Sequence, residues 1–128
     1  MEIFRYYDGL LRRFGQSTMT VANEGTIKAF HWHQKQDDVW FFASGKARVV
    51  LYDSRSDSRT RGMTQVIQAG ADDYKVILIP AGVVHGYQVL SRDPVILFYH
   101  TTEHYDPGNP DEFRMAHNDP KINFDWNG

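Results

Sequence analysis

The chain has 128 residues, of which 41% are hydrophobic and 23% charged, so it is long enough to bury the core of one globular domain. A net charge of −2 gives no basic surface for nucleic acid or anionic membranes, and the absence of cysteine excludes disulfides and thiolate chemistry. There is no signal-peptide pattern and no apolar run near the roughly 20 residues that span a bilayer, so we expect a cytoplasmic protein with no membrane or nucleic-acid partner.

Short segments with strand composition follow one another along the chain, separated by turn signals. We predict strands over Gln16–Val21, from Ile27 through the histidine segment, over Asp38–Phe42, Ala47–Tyr52, Met63–Gln68, Lys75–Ile79, His85–Leu90 and Val95–Thr101. The polar run Asp53–Gly62 is expected to be an exposed loop. No helical periodicity extends beyond about ten residues, and no linker divides the chain.

This pattern predicts an all-β fold, a double-stranded β-helix or jelly roll, whose interior can hold a ligand at one mouth. Residues 1–128 are interpreted as a single domain, with residues 1–15 as an N-terminal arm and residues 106–128 as a loop-rich C-terminal tail.

Three histidines and one carboxylate are placed for a small site. His31 and His33 lie two residues apart in a predicted strand and therefore share a face. Asp38 follows across a short polar turn, and His85 follows the Pro80–Val84 segment. Imidazole titrates near neutral pH and suits a general base, whereas the four side chains together would suit a divalent metal such as Zn, Ni, Fe or Mn.

The same residues carry a family resemblance. Gly25-x5-His31-x-His33-x4-Asp38-x6-Gly45 resembles the first cupin motif, with aspartate in place of the usual glutamate, and Pro80-x-Gly82-x2-His85 resembles the second. Among cupins, the chain is most similar to the dTDP-4-dehydrorhamnose 3,5-epimerases. The segments that carry this likeness are IKAFH at 27–31, LIPAGVVHGY at 78–87, FYHTTEHYDP at 98–107 and the NDP-to-Trp ending at 118–126.

The resemblance implies an isomerase, an epimerase of a nucleotide-linked 4-keto-6-deoxy sugar, that works without a cofactor and as a homodimer. His31 would be the base and Tyr99 the acid on the opposite side of the cavity. The residues implied to hold the substrate are Gln16, Lys28, His33 and His85. Strict alternation from His31 points Lys28 out of the barrel, and the family carries an arginine at that position, so Lys28 is the weakest member of the set.

Two further interpretations stay open. The His31-x-His33 pair also resembles the sugar 3,4-ketoisomerases, which move a keto group between C4 and C3 with histidine as base. Alternatively the protein is a metal-binding cupin, a metalloenzyme or a small-ligand binding protein. The metal ligands would then be His31, His33, Asp38 and His85.

Overall fold

The computed structural model describes residues 1–128 and contains nine β-strands, one 3₁₀ turn and no α-helix. The strands are β1 (Gln16–Ala22), β2 (Ile27–Trp32), β3 (Asp38–Ser44), β4 (Lys46–Asp53), β5 (Thr64–Gly70), β6 (Val76–Ile79), β7 (Val83–Val89), β8 (Val95–Thr101) and β9 (Phe113–Arg114), and the 3₁₀ turn is Tyr6–Asp8. The eight predicted strands all form, and β9 was not predicted. The structure contains no helix that is long and apolar enough to cross a membrane.

The strands form two sheets in which all neighbours run antiparallel. The four-stranded sheet has the order β1-β8-β3-β6 and the five-stranded sheet the order β5-β4-β7-β2-β9. Sequential strands therefore alternate between the sheets, except β4 and β5, which form a hairpin within the five-stranded sheet, and this is the arrangement of a jelly roll. The predicted all-β, double-stranded β-helix is confirmed.

The inner faces of the two sheets enclose the main core. Trp40, Phe42 and Tyr87 meet there edge to face, with ring centroids 5.4 to 6.0 Å apart. Toward one end of the four-stranded sheet the inward side chains become polar, since Asp38 lies in register with Thr101. The core therefore ends at a polar mouth, as a ligand-binding jelly roll requires.

The outer face of the five-stranded sheet is covered by the C-terminal tail. Phe30 of β2 packs in a second buried cluster with Ile122 and Trp126 of the tail. The backbones of Phe30 and Met115 exchange two N–H···O hydrogen bonds of 3.0 Å each. The tail contains only the two-residue strand β9, and its apolar side chains nevertheless bury themselves against a sheet.

Strand β2 contains a bulge that overturns the predicted orientation of Lys28. Lys28 pairs with Tyr87 and His31 pairs with His85, so β2 carries one extra residue between the two pairs. Gly86 permits this close approach, because a Cβ there would lie 2.6 Å from the Cβ of Ala29. Strict alternation is broken, and Lys28 faces the interior of the barrel together with His31.

The segment 53–62 is a largely exposed loop, as expected, but it begins with a buried carboxylate. Its first residue, Asp53, ends β4 and is 7% exposed. The Asp53 carboxylate accepts hydrogen bonds from the Arg55 guanidinium at 2.9 and 3.0 Å and from the hydroxyls of Ser58 and Thr60. These bonds, chiefly those from Arg55, hold the pKa of Asp53 far below its usual range. Two of the charged residues of this segment, Asp53 and Arg55, are therefore partners of each other.

Candidate active site

One cavity of about 770 Å³ opens between the two sheets at the polar end of the barrel. Its walls include every residue that the sequence singled out: Gln16, Lys28, His31, His33, Asp38, His85 and Tyr99. Strands β2 and β7 supply His31 and His85 from one sheet, and His33 directly follows β2. Strands β1, β3 and β8 supply Gln16, Asp38 and Tyr99 from the other sheet. The segment 102–113 closes one side of the cavity.

His31 stands beside a carboxylate that the sequence did not suggest. Its Nδ1 lies 3.1 Å from Oε1 of Glu112, which comes from the tail immediately before β9. The atom is buried, and its alignment on the carboxylate falls short of a formed hydrogen bond. Burial lowers the pKa of His31, Glu112 raises it and Arg114 lowers it again, so the balance favours the neutral ring. With Nδ1 toward Glu112, Nε2 is the nitrogen left to act as a base.

His33 is fixed by a backbone contact. Its Nδ1 lies 2.6 Å from the carbonyl oxygen of Asp111. A carbonyl can only accept a hydrogen bond, so Nδ1 carries the proton and Nε2 keeps its lone pair. This Nε2 lies 3.9 Å from Oδ1 of Asp38, too far for a direct hydrogen bond.

The Asp111 side chain ties the tail to the turn between β2 and β3. Its carboxylate accepts the backbone N–H groups of Gln34, Lys35 and Gln36 at 2.7, 2.9 and 3.0 Å. Burial would raise the pKa of Asp111, but these three bonds and the neighbouring His33 outweigh it and the pKa lies below its ordinary value. One residue therefore positions both the turn and, through its carbonyl, the His33 ring.

Asp38 is a buried carboxylate held by neutral donors. It is 3% exposed and accepts hydrogen bonds from the Gln36 amide at 2.8 Å and the Trp40 indole at 3.1 Å. Burial raises its pKa above the ordinary value, although His33 and the two donors oppose the change. The group is thus a carboxyl whose charge has little local compensation.

His85 forms the deepest wall of the site. It is 4% exposed and packs edge to face on Trp40, with ring centroids 5.2 Å apart. Its Nδ1 lies 3.1 Å from the carbonyl oxygen of Val83, which assigns the proton to Nδ1. Burial lowers the pKa of His85 to about 3, so the ring is neutral and its Nε2 carries a lone pair.

The four residues predicted as a metal set do not all come together. Ligand atoms of His33, Asp38 and His85 lie within 4.8 Å of one another. His31 does not belong to that group, because its ring is turned toward Glu112 at the edge of the cavity. The structure thus divides the set into a histidine–carboxylate pair and a separate group of two imidazoles and one carboxylate.

The remaining predicted residues all line the cavity but differ in their contacts and exposure. Tyr99 projects from β8 of the sheet opposite His31 and packs partly on the core. The Gln16 amide donates to the Thr18 hydroxyl at 3.1 Å and accepts the Tyr105 backbone N–H at 2.9 Å, so it orders the segment that forms the cavity wall. Lys28 is exposed on the cavity side of β2.

Sequence reasoning missed Asp111 and Glu112. They follow a turn-rich run, Pro107 to Pro110, in a tail that was interpreted as loop. No local spacing relates them to the histidines, since His33 and Asp111 are 78 residues apart. The adjacent acidic pair just before an apolar Phe113 was the only available signal.

A jelly roll with a histidine-lined cavity at one end defines this chain as a cupin. The model of the family described as dTDP-4-dehydrorhamnose 3,5-epimerase matches residues 2–128, and the chain belongs to that family. Members of the family are epimerases, which are isomerases, so the predicted enzyme class is confirmed at the level of the family.

Individual relatives agree with this assignment. A spore coat polysaccharide biosynthesis protein, SpsL, of Bacillus subtilis is 49% identical over 98% of this chain and 83% of its own length. A probable low-salt glycan biosynthesis epimerase, Agl13, of Haloferax volcanii is 35% identical over 87% of this chain and 72% of its own. The 3,5-epimerase of Legionella pneumophila, solved in complex with dTDP-4-keto-L-rhamnose, superposes with a TM-score of 0.84 at 28% identity and covers 98% of this chain and 69% of its own.

Proposed function

We propose that the protein epimerises a dTDP-linked 4-keto-6-deoxy sugar by proton transfer through His31 and Tyr99. The observation that carries the proposal is the pairing of a neutral, half-buried His31 with the Glu112 carboxylate in a cavity whose opposite wall holds Tyr99. The relative solved with dTDP-4-keto-L-rhamnose supports the substrate class.

The first step removes a proton from a carbon next to the ketone. The C4 carbonyl acidifies the C–H bonds at C3 and C5, and Nε2 of His31 takes the proton while the electron pair moves to the C4 oxygen. Glu112 is a positioning residue, because its carboxylate beside Nδ1 orients the ring and stabilises the imidazolium that forms. The cavity wall at 102–113 limits access of water to the enolate.

The second step returns a proton to the other face of the same carbon. His31 and Tyr99 stand on facing sheets, so an enolate between them has one on each side. The Tyr99 hydroxyl donates its proton to the carbon, and the electron pair returns from the oxygen to re-form the ketone. Solvent then restores both side chains, which makes an organic cofactor unnecessary.

Deuterium exchange tests this mechanism. We expect the protein to incorporate deuterium from heavy water at C3, C5 or both positions of a dTDP-4-keto-6-deoxy sugar, with inversion at the exchanged carbon. His31→Ala should abolish exchange, whereas Tyr99→Phe should retain exchange and lose inversion. His117→Ala changes an exposed histidine outside the cavity and is the matched control. Inversion in Tyr99→Phe at the wild-type rate would contradict the assigned acid.

A 3,4-ketoisomerase is the second candidate, favoured by one observation. Three imidazoles share the cavity, and the orientation of His33 and His85 leaves Nε2 free on each. Such groups could serve a second proton transfer between C3 and C4. Carbon-13 resonances of a labelled substrate distinguish the outcomes, because the carbonyl signal stays at C4 for an epimerase and moves to C3 for a ketoisomerase.

We further propose that two copies pair through the outer face of the four-stranded sheet. That face exposes four apolar side chains of its edge strands: Met19, Val21, Val76 and Leu78, between 38% and 56% exposed. Three strands of seven residues and one of four give a face of roughly 400 Å² in projection, against the ~800 Å² of accessible surface per partner in a standard interface. Light scattering should report a dimer that Val21→Lys dissociates, with Val66→Lys on the other sheet as control.

We also propose that the protein is located in the cytoplasm, which cell fractionation tests.

A further inference from the structure

We propose that Tyr87 is a positioning residue for the acid step, whose hydroxyl donates a hydrogen bond to the Tyr99 oxygen as Tyr99 gives its proton to the enolate. This role rests on the proposed function, because it belongs to the second proton transfer of that reaction. Tyr87 lines the cavity, yet its hydroxyl is buried and makes no hydrogen bond in the free protein.

The Tyr87 hydroxyl is an unsatisfied polar group in the interior. The residue is 3% exposed, and its oxygen is closed off from solvent without a donor or acceptor beside it in bonding geometry. An unpaired buried hydroxyl destabilises a fold, and a phenylalanine would fill nearly the same space without that cost. A partner that forms only during the reaction accounts for a hydroxyl at this position.

Packing brings Tyr87 next to Tyr99 across the barrel. The Tyr87 ring lies edge to face on Trp40, with centroids 5.7 Å apart. Trp40 pairs in register with Tyr99, so these two side chains are neighbours on the inner face of the four-stranded sheet. Tyr99 also packs against the buried cluster that contains Tyr87 and Trp40. The two tyrosines therefore border the same indole from facing sheets.

Two hydroxyl groups of the opposite sheet lie near the Tyr87 hydroxyl, those of Thr20 and Tyr99. Burial raises the pKa of Tyr87, Thr20 lowers it and the neighbouring Tyr99 raises it again. Thr20 is close, but its alignment falls short of a formed hydrogen bond. Tyr87 thus stays protonated near neutral pH, and its O–H is available as a donor.

A negative charge appears beside this donor in the second step. When the proton of Tyr99 joins the carbon, the electron pair of the broken O–H bond stays on the Tyr99 oxygen as a phenolate. A phenolate in a cavity with little water needs a hydrogen-bond donor. Because hydrogen bonds to charged acceptors are stronger than those to neutral ones, Tyr87 stabilises the transition state of this step more than the resting enzyme.

The partition between exchange and inversion tests this role. Tyr87→Phe removes only the hydroxyl. With a dTDP-4-keto-6-deoxy sugar in heavy water, we expect kcat for inversion to fall at least about tenfold, while KM and deuterium exchange through His31 stay within about twofold of the wild type. Tyr52→Phe is the matched control, because Tyr52 lies on β4 and does not line this cavity. Equal losses of exchange and inversion in Tyr87→Phe would overturn the role.

Thermal stability separates this role from a structural one. Because the hydroxyl has no partner in the free protein, Tyr87→Phe should melt at the wild-type temperature or above it. A decrease in Tm of more than about 3 °C would show that the hydroxyl is bonded in the folded state, with Thr20 as the nearest candidate, and would overturn the inference.

Failure of this inference can be distinguished from failure of the proposed function. If the wild type exchanges and inverts the sugar, and Tyr87→Phe inverts it at the same rate, only the role of Tyr87 is wrong. A raised KM with unchanged kcat would indicate direct contact with the sugar and would also overturn the role. If the wild type neither exchanges nor inverts, the epimerase proposal fails and the role of Tyr87 fails with it.

Discussion

The Asp111 clamp, by which this carboxylate holds the 34–36 turn through three backbone N–H groups, gives the sharpest prediction for how the site is held together. Asp111→Asn keeps the size of the side chain but replaces one accepting oxygen by an NH₂ group, which faces backbone N–H groups and cannot accept from them. Oδ2 of Asp111 accepts the backbone N–H groups of both Lys35 and Gln36, and Oδ1 accepts that of Gln34. The substitution therefore removes the negative charge and at least one of three hydrogen bonds.

The expected loss of stability in Asp111→Asn follows from those hydrogen bonds. A hydrogen bond to a charged group contributes about 1.5 to 3 kcal/mol, against about 0.5 to 1.5 for a neutral one. Two of the three N–H groups lie on exposed residues, so water compensates part of the loss. We expect the free energy of unfolding to fall by about 1 to 2 kcal/mol, or about 3 to 8 °C in Tm for a domain of this size.

The assay combines stability with catalysis. Urea unfolding and thermal melts measure the first, and kcat/KM for exchange on a dTDP-4-keto-6-deoxy sugar should fall about tenfold, because the segment that carries Glu112 loses its anchor. Asp106→Asn is the matched control, since that carboxylate accepts only the nearby Gly108 N–H in the same loop. If the two variants are equally stable and equally active, the clamp does not hold the site.

Three further predictions test other parts of the fold. Glu112→Gln should lower kcat about 10- to 100-fold with KM nearly unchanged, and Glu112→Asp should restore part of the loss; an equal rise in KM would indicate a binding role instead. Asp53→Asn should destabilise the protein at pH 7. Because the folded pKa of Asp53 is depressed, its contribution is complete above the unfolded pKa of about 3.9 and declines as the pH falls below it. Wild-type and variant unfolding curves should therefore converge in acid, and a constant difference would contradict this. Gly86→Ala should lower the free energy of unfolding by about 1 to 3 kcal/mol in urea, since its Cβ would meet Ala29 at 2.6 Å. An unchanged free energy of unfolding would show that β2 shifts to accommodate the methyl group without cost.

The sequence predicted the parts of the fold that local chemistry controls. Runs such as Val95–Thr101 alternate and are bounded by turn residues, so their strands followed from pattern alone. The three histidines line one cavity, and their spacing suggested this because the order of motifs follows the order of strands within a known fold.

Other features depend on contacts that no local pattern encodes. Lys28 was expected to point outward because a bulge cannot be read from alternation, and the space it needs is provided by Gly86 on another strand. Glu112 was missed because its partner, His31, lies in a distant part of the chain. Trp126 was visible as an apolar residue, but nothing indicated which sheet face it would cover.

The bulge in β2 has a consequence for how the cavity can diverge. Removing one residue between Lys28 and His31 would restore regular pairing and turn the lysine to the outside, with every remaining side chain chemically unchanged. The charge that this wall presents is thus governed by the length of the strand as much as by the identity of residue 28. A single-residue insertion or deletion at 29–30 would therefore change which charge faces the cavity without any substitution.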